Sequence, residues 1–455
     1  MNRSPQKIIG MLAGGLIGVT ALCPEPCSAQ QPPPPVSQPP AAVSNIGATS
    51  LSLNDLINLS MAQHPALQQA ALNINVAQGR VVQAGLYPNP TLTISGEEIN
   101  PKAGIVTMPQ ISQEIVTANK LGLATAVALR DMDQAQLALV RQRYALMTLV
   151  RQSFFEVLAV QRRIKILGEL EEQAKESVAR AQKLREGRIL SEADVLQFEI
   201  DLERLRAEQF AAKREELAAW GRLTATAGFP QLPLTDLRGT LEDPLPYDVG
   251  TDKDDEAVQK MKFAREFEKA RAFVVEGHPE VQFARIGINR AQIAVQREEA
   301  EAIPNVTLGA GYQRNFNERE HQATFQISVP LPFHNRNQGN ILSAQAEAGR
   351  AVLEVNRVQL DLTNRLWTAF GQYAAAKQRA DRYRRIVPKT EQAYRQSVAG
   401  FRGAGLEYLG VLNARRALQE AKLEYLRAQA EAWRAASEIA GLLLEEPIAP
   451  TPLGK

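Results

Sequence analysis

Four histidines and two cysteines are the side chains here best suited to hold a metal or act as nucleophiles. His64, His278, His321 and His334 never pair at the spacing that puts two imidazoles on one helix face. Cys23 and Cys27 both fall within the first thirty residues. The sequence has no phosphate-cradling glycine loop, no nucleophile elbow and no zinc motif. Carboxylates are plentiful, but on helix faces shared with bases they read as solvated surface. These residues predict no enzyme, no cofactor and no metal centre. His64 and His278 instead each precede a proline at a helix start, which is a local structural role.

Those two positions open a repeated phrase. HPALQQAALNINVAQGRV (64–81) and HPEVQFARIGINRAQIAV (278–295) share nine of eighteen residues at an offset of 214. Pro90 and Thr93 match Pro304 and Thr307 at the same offset. Near each proline the helix stops and an alternating segment begins. PTLTISGEEI sets Leu92 and Ile94 against Thr91, Thr93 and Ser95. PNVTLGAGYQ sets Val306, Leu308, Ala310 and Tyr312 against Thr307, Gly309 and Gly311. Second strands follow turn-rich stretches, in QISQEIV and QATFQISV. The expected strands are about 90–99, 107–116, 305–316 and 321–330. Their length suits tilted strands crossing a bilayer, with Tyr87, Tyr312, Phe316 and Phe333 near the ends as a girdle. Two hairpins cannot close a barrel, and lipid tolerates no open edge, so several chains must share one.

After each hairpin comes a long proline-poor stretch. Residues 121–186 contain no proline and give about 100 Å of helix at 1.5 Å per residue. Residues 337–399 give a similar length, with Pro388 inside. Apolar residues step by three and four: Val150, Val157 and Ile164, then Val160, Leu167, Ala174 and Ala181. Val352, Val355, Leu362, Leu366, Ala369, Tyr373, Ala376 and Ala380 keep the same rhythm, which is coiled-coil packing. Each helix breaks at a glycine and returns, in REGRILSEADVL and FRGAGLEYLGVL. Gly187 reads as a terminator, and Ser191 with Asp194 as the cap of the return helix. At an offset of 216, Gly187 matches Gly403 and Leu190 matches Leu406.

The rest of the chain frames these repeats. Residues 1–29 have a basic start, a short apolar run and a small-residue site, as in a cleaved export signal. Cleavage there leaves no cysteine; a lipidated Cys23 is disfavoured by the bulky Leu22 before it. Residues 30–50 are a proline-rich linker. The first repeat spans 51–228 with a helical hairpin over about 121–227. An inter-repeat equatorial region covers 229–277. The second repeat spans 278–444 with its hairpin over about 337–443, and 445–455 is a tail. A net charge of +2, from 52 bases against 50 acids, offers no field for nucleic acid.

Helix, strand, strand, long helix, turn, helix, written twice, closely resembles the TolC-like outer-membrane efflux proteins. The resemblance runs from Leu51 to about Leu444 through QHPALQQA and GHPEVQFA, GLYPNPTL, QEIVTANKLGL, ISVPLPFHNRNQG and GLEYLGVLNARRAL. It implies a mainly α fold with a membrane β-barrel portion. Three chains would form a homotrimer with a shared twelve-stranded barrel in outer-membrane lipid and an α-barrel tunnel in the periplasm. Its partners would be a periplasmic adaptor protein and an inner-membrane RND-type pump. Gly187, Arg188, Leu190, Ser191, Gly403, Gly405 and Leu406 become adaptor-docking candidates, with Leu190 and Leu406 expected to be exposed. Gly410 and Asn413 stand at the channel constriction, where relatives often carry Asp, so the acidic ring is in doubt. The wording is most similar to the cation-efflux (CzcC-like) branch; multidrug and type I secretion branches stay open. A periplasmic adaptor is the rival reading, and two hairpins each preceded by paired strands argue against it.

Overall fold

The structure, a computed structural model, describes residues 50–97, 105–250, 255–315, 320–402 and 408–446. The expected leader, both cysteines, all but Ser50 of the proline-rich linker and residues 447–455 of the tail lie outside the described residues. The first half holds β1 (Leu51–Ser52), α1 (Leu53–Gln63), α2 (Pro65–Gly85), β2 (Thr91–Glu97), β3 (Ile105–Ile115), α3 (Lys120–Glu186) and α4 (Glu192–Ala227). The linking region holds β4 (Leu237–Arg238) and α5 (Glu256–Gly277). The second half holds α6 (Pro279–Glu301), β5 (Val306–Asn315), β6 (Glu320–Ser328), α7 (Gln338–Arg402) and α8 (Tyr408–Leu442).

The repeated phrase is a repeated helix cap. His64 Nδ1 accepts the Ala66 amide at 3.1 Å, and Pro65 occupies the first turn of α2, where no amide partner is needed. His278 Nδ1 accepts the Glu280 amide at 3.2 Å, and Pro279 opens α6 likewise. The helix α1 ahead of His64 has its own capping box between Ser52 and Asp55.

The four long strands form one antiparallel sheet in the order β2-β3-β5-β6, and β1 pairs in parallel with β4. The two hairpins join along β3 and β5, from Ile105 opposite Asn315 to Ile115 opposite Val306. The sheet is open, with β2 and β6 at its edges. Leu92, Ile111, Ala310 and Phe325 share one rung across all four strands. Leu308 and Ile327 sit two residues along on the same face. Phe325 is 85% exposed and Leu92 61%. The opposite face is polar. There the Gln110 amide donates to Gln326 Oε1 at 2.7 Å across β5. A Cβ at Gly309 would lie 3.0 Å from Gln110 Nε2, and one at Gly311 would lie 2.9 Å from Thr324 Oγ1. These glycines leave room for that cross-strand bond.

The helices form a layer in the order α2-α3-α6-α7 next to the sheet. Farther along, the order becomes α4-α3-α8-α7. Strand-to-helix junctions use left-handed residues, Ala118 and Asn119 before α3 and Asn337 before α7. The Asn337 amide donates to the Glu298 carbonyl and carboxylate at 2.8 and 2.9 Å. Buried Lys120 donates to Asn305 Oδ1 at 2.8 Å and pairs with Glu301 at 3.3 Å. Both contacts fix where a long helix leaves the sheet.

Apolar heptads fill the helix interfaces. Val150, Val157, Val160, Leu167, Ala174 and Ala181 are buried, as are Leu362, Leu366, Ala369, Tyr373, Ala376 and Ala380. Val352, read above as part of that seam, is 48% exposed, with no helix among the described residues covering it. Helix α7 continues through Pro388. The linking region is tied down by tyrosines. The Tyr373 hydroxyl donates to the Tyr247 carbonyl at 3.0 Å, and the Tyr247 hydroxyl donates to the Glu445 carboxylate at 2.8 Å. The Glu445 carbonyl accepts from Arg151 at 2.9 Å. Among the described residues no helix is long and apolar enough to cross a membrane.

Candidate docking tip and channel wall

The first hairpin reverses between α3 and α4, and the local bonds show how. The Ile189 amide donates to the Leu184 carbonyl at 2.9 Å, and the Arg188 amide donates to Arg185 at 2.8 Å. This is a Schellman closure with Arg188 at the left-handed position, φ 55°. Gly187 itself has φ −75°, a conformation open to any residue. Gly187 is the C-cap that ends α3, where its reading as a terminator put it, but the left-handed residue of the turn is Arg188. The turn falls one residue later, because the 6→1 and 5→2 bonds place the left-handed residue at 188. Ser191 then opens α4 with a capping box: its hydroxyl accepts the Asp194 amide at 3.2 Å, and the Asp194 carboxylate accepts the Ser191 amide at 3.1 Å.

The apolar residues at this tip also divide differently from expectation. Leu190 is half-buried and packs on the cluster of Val178, Val195, Phe198 and their neighbours. Ile189 beside it is 60% exposed. Lys183, Arg185, Glu186, Arg188, Ile189, Ser191 and Glu192 are all exposed at the apex. Lys183 and Arg185 in the last turn of α3 also complement its negative end. Gly403, Gly405 and Leu406 of the second tip lie outside the described residues.

The start of α8 carries the two constriction candidates. Gly410 is half-buried and Asn413 exposed, while Val411 and Leu412 between them pack into the core. One turn further along, sequence reasoning missed an ion pair. Arg415 is 1% exposed and bonds the Asp201 carboxylate, which also takes Arg416 Nε at 3.4 Å. The pair joins the two return helices, α4 and α8. Arg415 Nε and Nη1 find no partner within the described chain. A signal was available: Asp201 falls between Phe198 and Leu205, and Arg415 between Val411 and Leu418, both in heptad core positions.

Of the four histidines, only His278 is buried, between α6 and the residues Arg141, Tyr144 and Arg365. Burial, with the charges of Arg365 and Arg141, pushes its imidazole down to about 4. His64 caps the other copy, and His321 bonds the Tyr312 hydroxyl on the sheet. The structure gathers no three His, Cys, Asp or Glu side chains into a metal cluster among the described residues.

Comparison with known proteins agrees with this architecture. The family model described as outer membrane efflux protein matches residues 56–228 and 274–443. The cobalt-zinc-cadmium resistance protein CzcC of Cupriavidus metallidurans is 27% identical over 398 residues, covering 87% of this chain and 90% of that protein. Among solved structures, the outer-membrane channel OprN superposes with a TM-score of 0.70 at 17% identity, over 86% of this chain and 89% of that one. CusC gives 0.70 at 15% identity, over 86% and 91%. VceC of Vibrio cholerae gives 0.67 at 18% identity, over 86% and 95%. The chain belongs to the outer membrane efflux protein family, and is a passive outer-membrane duct rather than an enzyme.

Proposed function

We propose that three copies of this chain close into one tube that carries heavy-metal cations out of the periplasm. The observation that carries closure is the open sheet, with β2 and β6 unpaired on their outer sides. Lipid supplies no partner for those amides and carbonyls, so three four-stranded sheets complete a twelve-stranded barrel. The apolar face with Leu92, Ile111, Leu308, Phe325 and Ile327 meets lipid, and the polar face with Gln110 and Gln326 lines the lumen. The long helices continue the tube through the periplasm.

At the far end, the tips dock an adaptor coupled to an RND-type inner-membrane pump. Gly187, Arg188, Leu190 and Ser191 on the first tip, with Gly403, Gly405 and Leu406 on the second, form that surface. Gly410 and Asn413 stand at the constriction without a carboxylate ring, so selectivity belongs to the pump. The name of the CzcC relative, a cobalt-zinc-cadmium resistance protein, supports metal cations as the cargo. Deleting the gene and measuring growth on cobalt, zinc or cadmium against a panel of drugs tests this. Sensitivity to the metals alone is expected; sensitivity to drugs alone overturns the cargo assignment.

A further inference from the structure

The two faces of the β5–β6 hairpin are sorted by chemistry. One face carries Gly309, Gly311 and Gln313, opposite Gln326, Thr324 and Gln322. The other carries Leu308, Ala310 and Tyr312, opposite Ile327, Phe325 and Ala323. One more rung continues this second face, and it pairs Arg314 with His321. No other basic residue occurs in β5 or β6. Both are exposed, and both stand in line with Phe325 and Ile327 rather than among the glutamines.

Their height along the sheet accounts for a cation on an apolar face. Helix α6 enters β5 at Val306, and β6 leaves toward α7 at Ser328. The Arg314–His321 rung therefore lies next to the hairpin end, away from the helices. From Val329 to His321 is about 27 Å along the strand, or about 20 Å of height at the usual tilt. A lipid-facing band is about 25 Å tall and edged by aromatic rings. Phe333 and Leu331, 74% and 68% exposed, mark one edge, and Tyr312 with His321 marks the other. An arginine facing lipid is costly at mid-membrane and nearly free at such an edge, where headgroups begin.

The rung is also arranged to donate hydrogen bonds. The Tyr312 hydroxyl donates to His321 Nδ1, with the rings 5.5 Å apart and tilted by 31°. That bond fixes the tautomer, so Nε2 carries the ring proton. Arg314 adds a planar fork of N–H donors that matches phosphate oxygens.

We propose that Tyr312, Arg314 and His321 form a headgroup site, one per copy, that holds the phosphate monoester of a lipid in the outer leaflet. The guanidinium and His321 Nε2–H donate to the phosphate, and Phe325 and Ile327 meet the acyl chains. A free phosphate offers the same oxygens but nothing for those apolar side chains. The inference rests on the membrane-spanning barrel proposed above and places a ligand on its outer rim.

The full chain in mild detergent, with bound lipids counted by native mass spectrometry, tests it. Phosphatidic acid is expected to bind about tenfold more tightly than phosphatidylcholine with the same acyl chains. Arg314→Ser with His321→Gln is expected to remove that preference and leave oligomer size by light scattering unchanged. Arg314→Ser with Gln313→Arg keeps the net charge but moves the cation to the polar face, and is expected to lose the preference too. An oligomer that binds both lipids equally, or keeps its preference in either double variant, overturns the site and leaves the barrel standing. Displacement of phosphatidic acid by an equal concentration of inorganic phosphate makes the free ion the ligand and overturns the lipid assignment. A monomer in the unaltered chain overturns both the barrel and the site.

Discussion

At the scale of single residues, three sites make separable demands. Arg188 adopts a conformation that costs an L-residue about 1–2 kcal/mol, so Arg188→Gly is expected to stabilise the first tip by about 1 kcal/mol, while Gly187→Ala changes little. Hydrogen exchange of the last α3 turn measures this. His278 is neutral in the fold and held at about 4, below its unfolded value near 6.5. The unfolded chain therefore takes up the proton first. The stability present above about 6.5 is lost as pH falls toward 4, by up to about 3 kcal/mol. His278→Asn keeps a capping oxygen, so it is expected to flatten that slope in melting curves recorded across the window. Asp201→Asn strands Arg415 in the core and is expected to cost about 3–5 kcal/mol in denaturant unfolding. Because two Arg415 nitrogens lack partners already, Asp201→Leu with Arg415→Leu is expected to recover most of that loss.

At the scale of elements, the heptads and the alternating strands were legible because burial follows period directly. Proline at 90 and 304 set the strand starts, since it stops a helix without forbidding an edge strand. What the pattern concealed depends on partners far away in the chain. Asp201 and Arg415 are separated by 214 residues, and a lone charge on a helix reads as surface until its partner is placed. The turn residue at 188 was hidden because glycine draws attention to itself, whereas hydrogen-bond register decides which residue goes left-handed. Val352 kept the heptad rhythm yet stayed exposed, because rhythm says which residues share a face and not what covers it. In the sheet, Gly311→Val would drive its branch into Thr324 and the Gln110 backbone. It is expected to lower the amount of assembled channel in outer-membrane fractions.

At the scale of the whole molecule, the ring proposed above predicts a response to salt. The α3–α6 junction within one copy carries ion pairs, but the outer helices expose apolar residues, Leu72 and Val76 on α2, Phe210 and Leu217 on α4, and Leu353 and Leu360 on α7. Raising salt to about 1 M, where charges are screened beyond about 3 Å, is expected to leave the oligomer intact by light scattering. An oligomer held by charge would instead dissociate. The duplication itself was readable from the His-Pro phrases, and the resemblance to efflux channels rested on their order. Which helices lie at the edges was not readable, since it depends on the layer order that only the fold supplies.

The open edges have a consequence in time as well as in space. A newly exported copy travels with two bare strand edges and two oily helix flanks, each able to adhere to the wrong neighbour. Its hazard is greatest between export and the closure proposed above, and grows with the number of solitary copies waiting. Periplasmic holding factors that shield strand edges, and a slow rate of synthesis, would therefore matter more to this protein's yield than the stability of any finished helix.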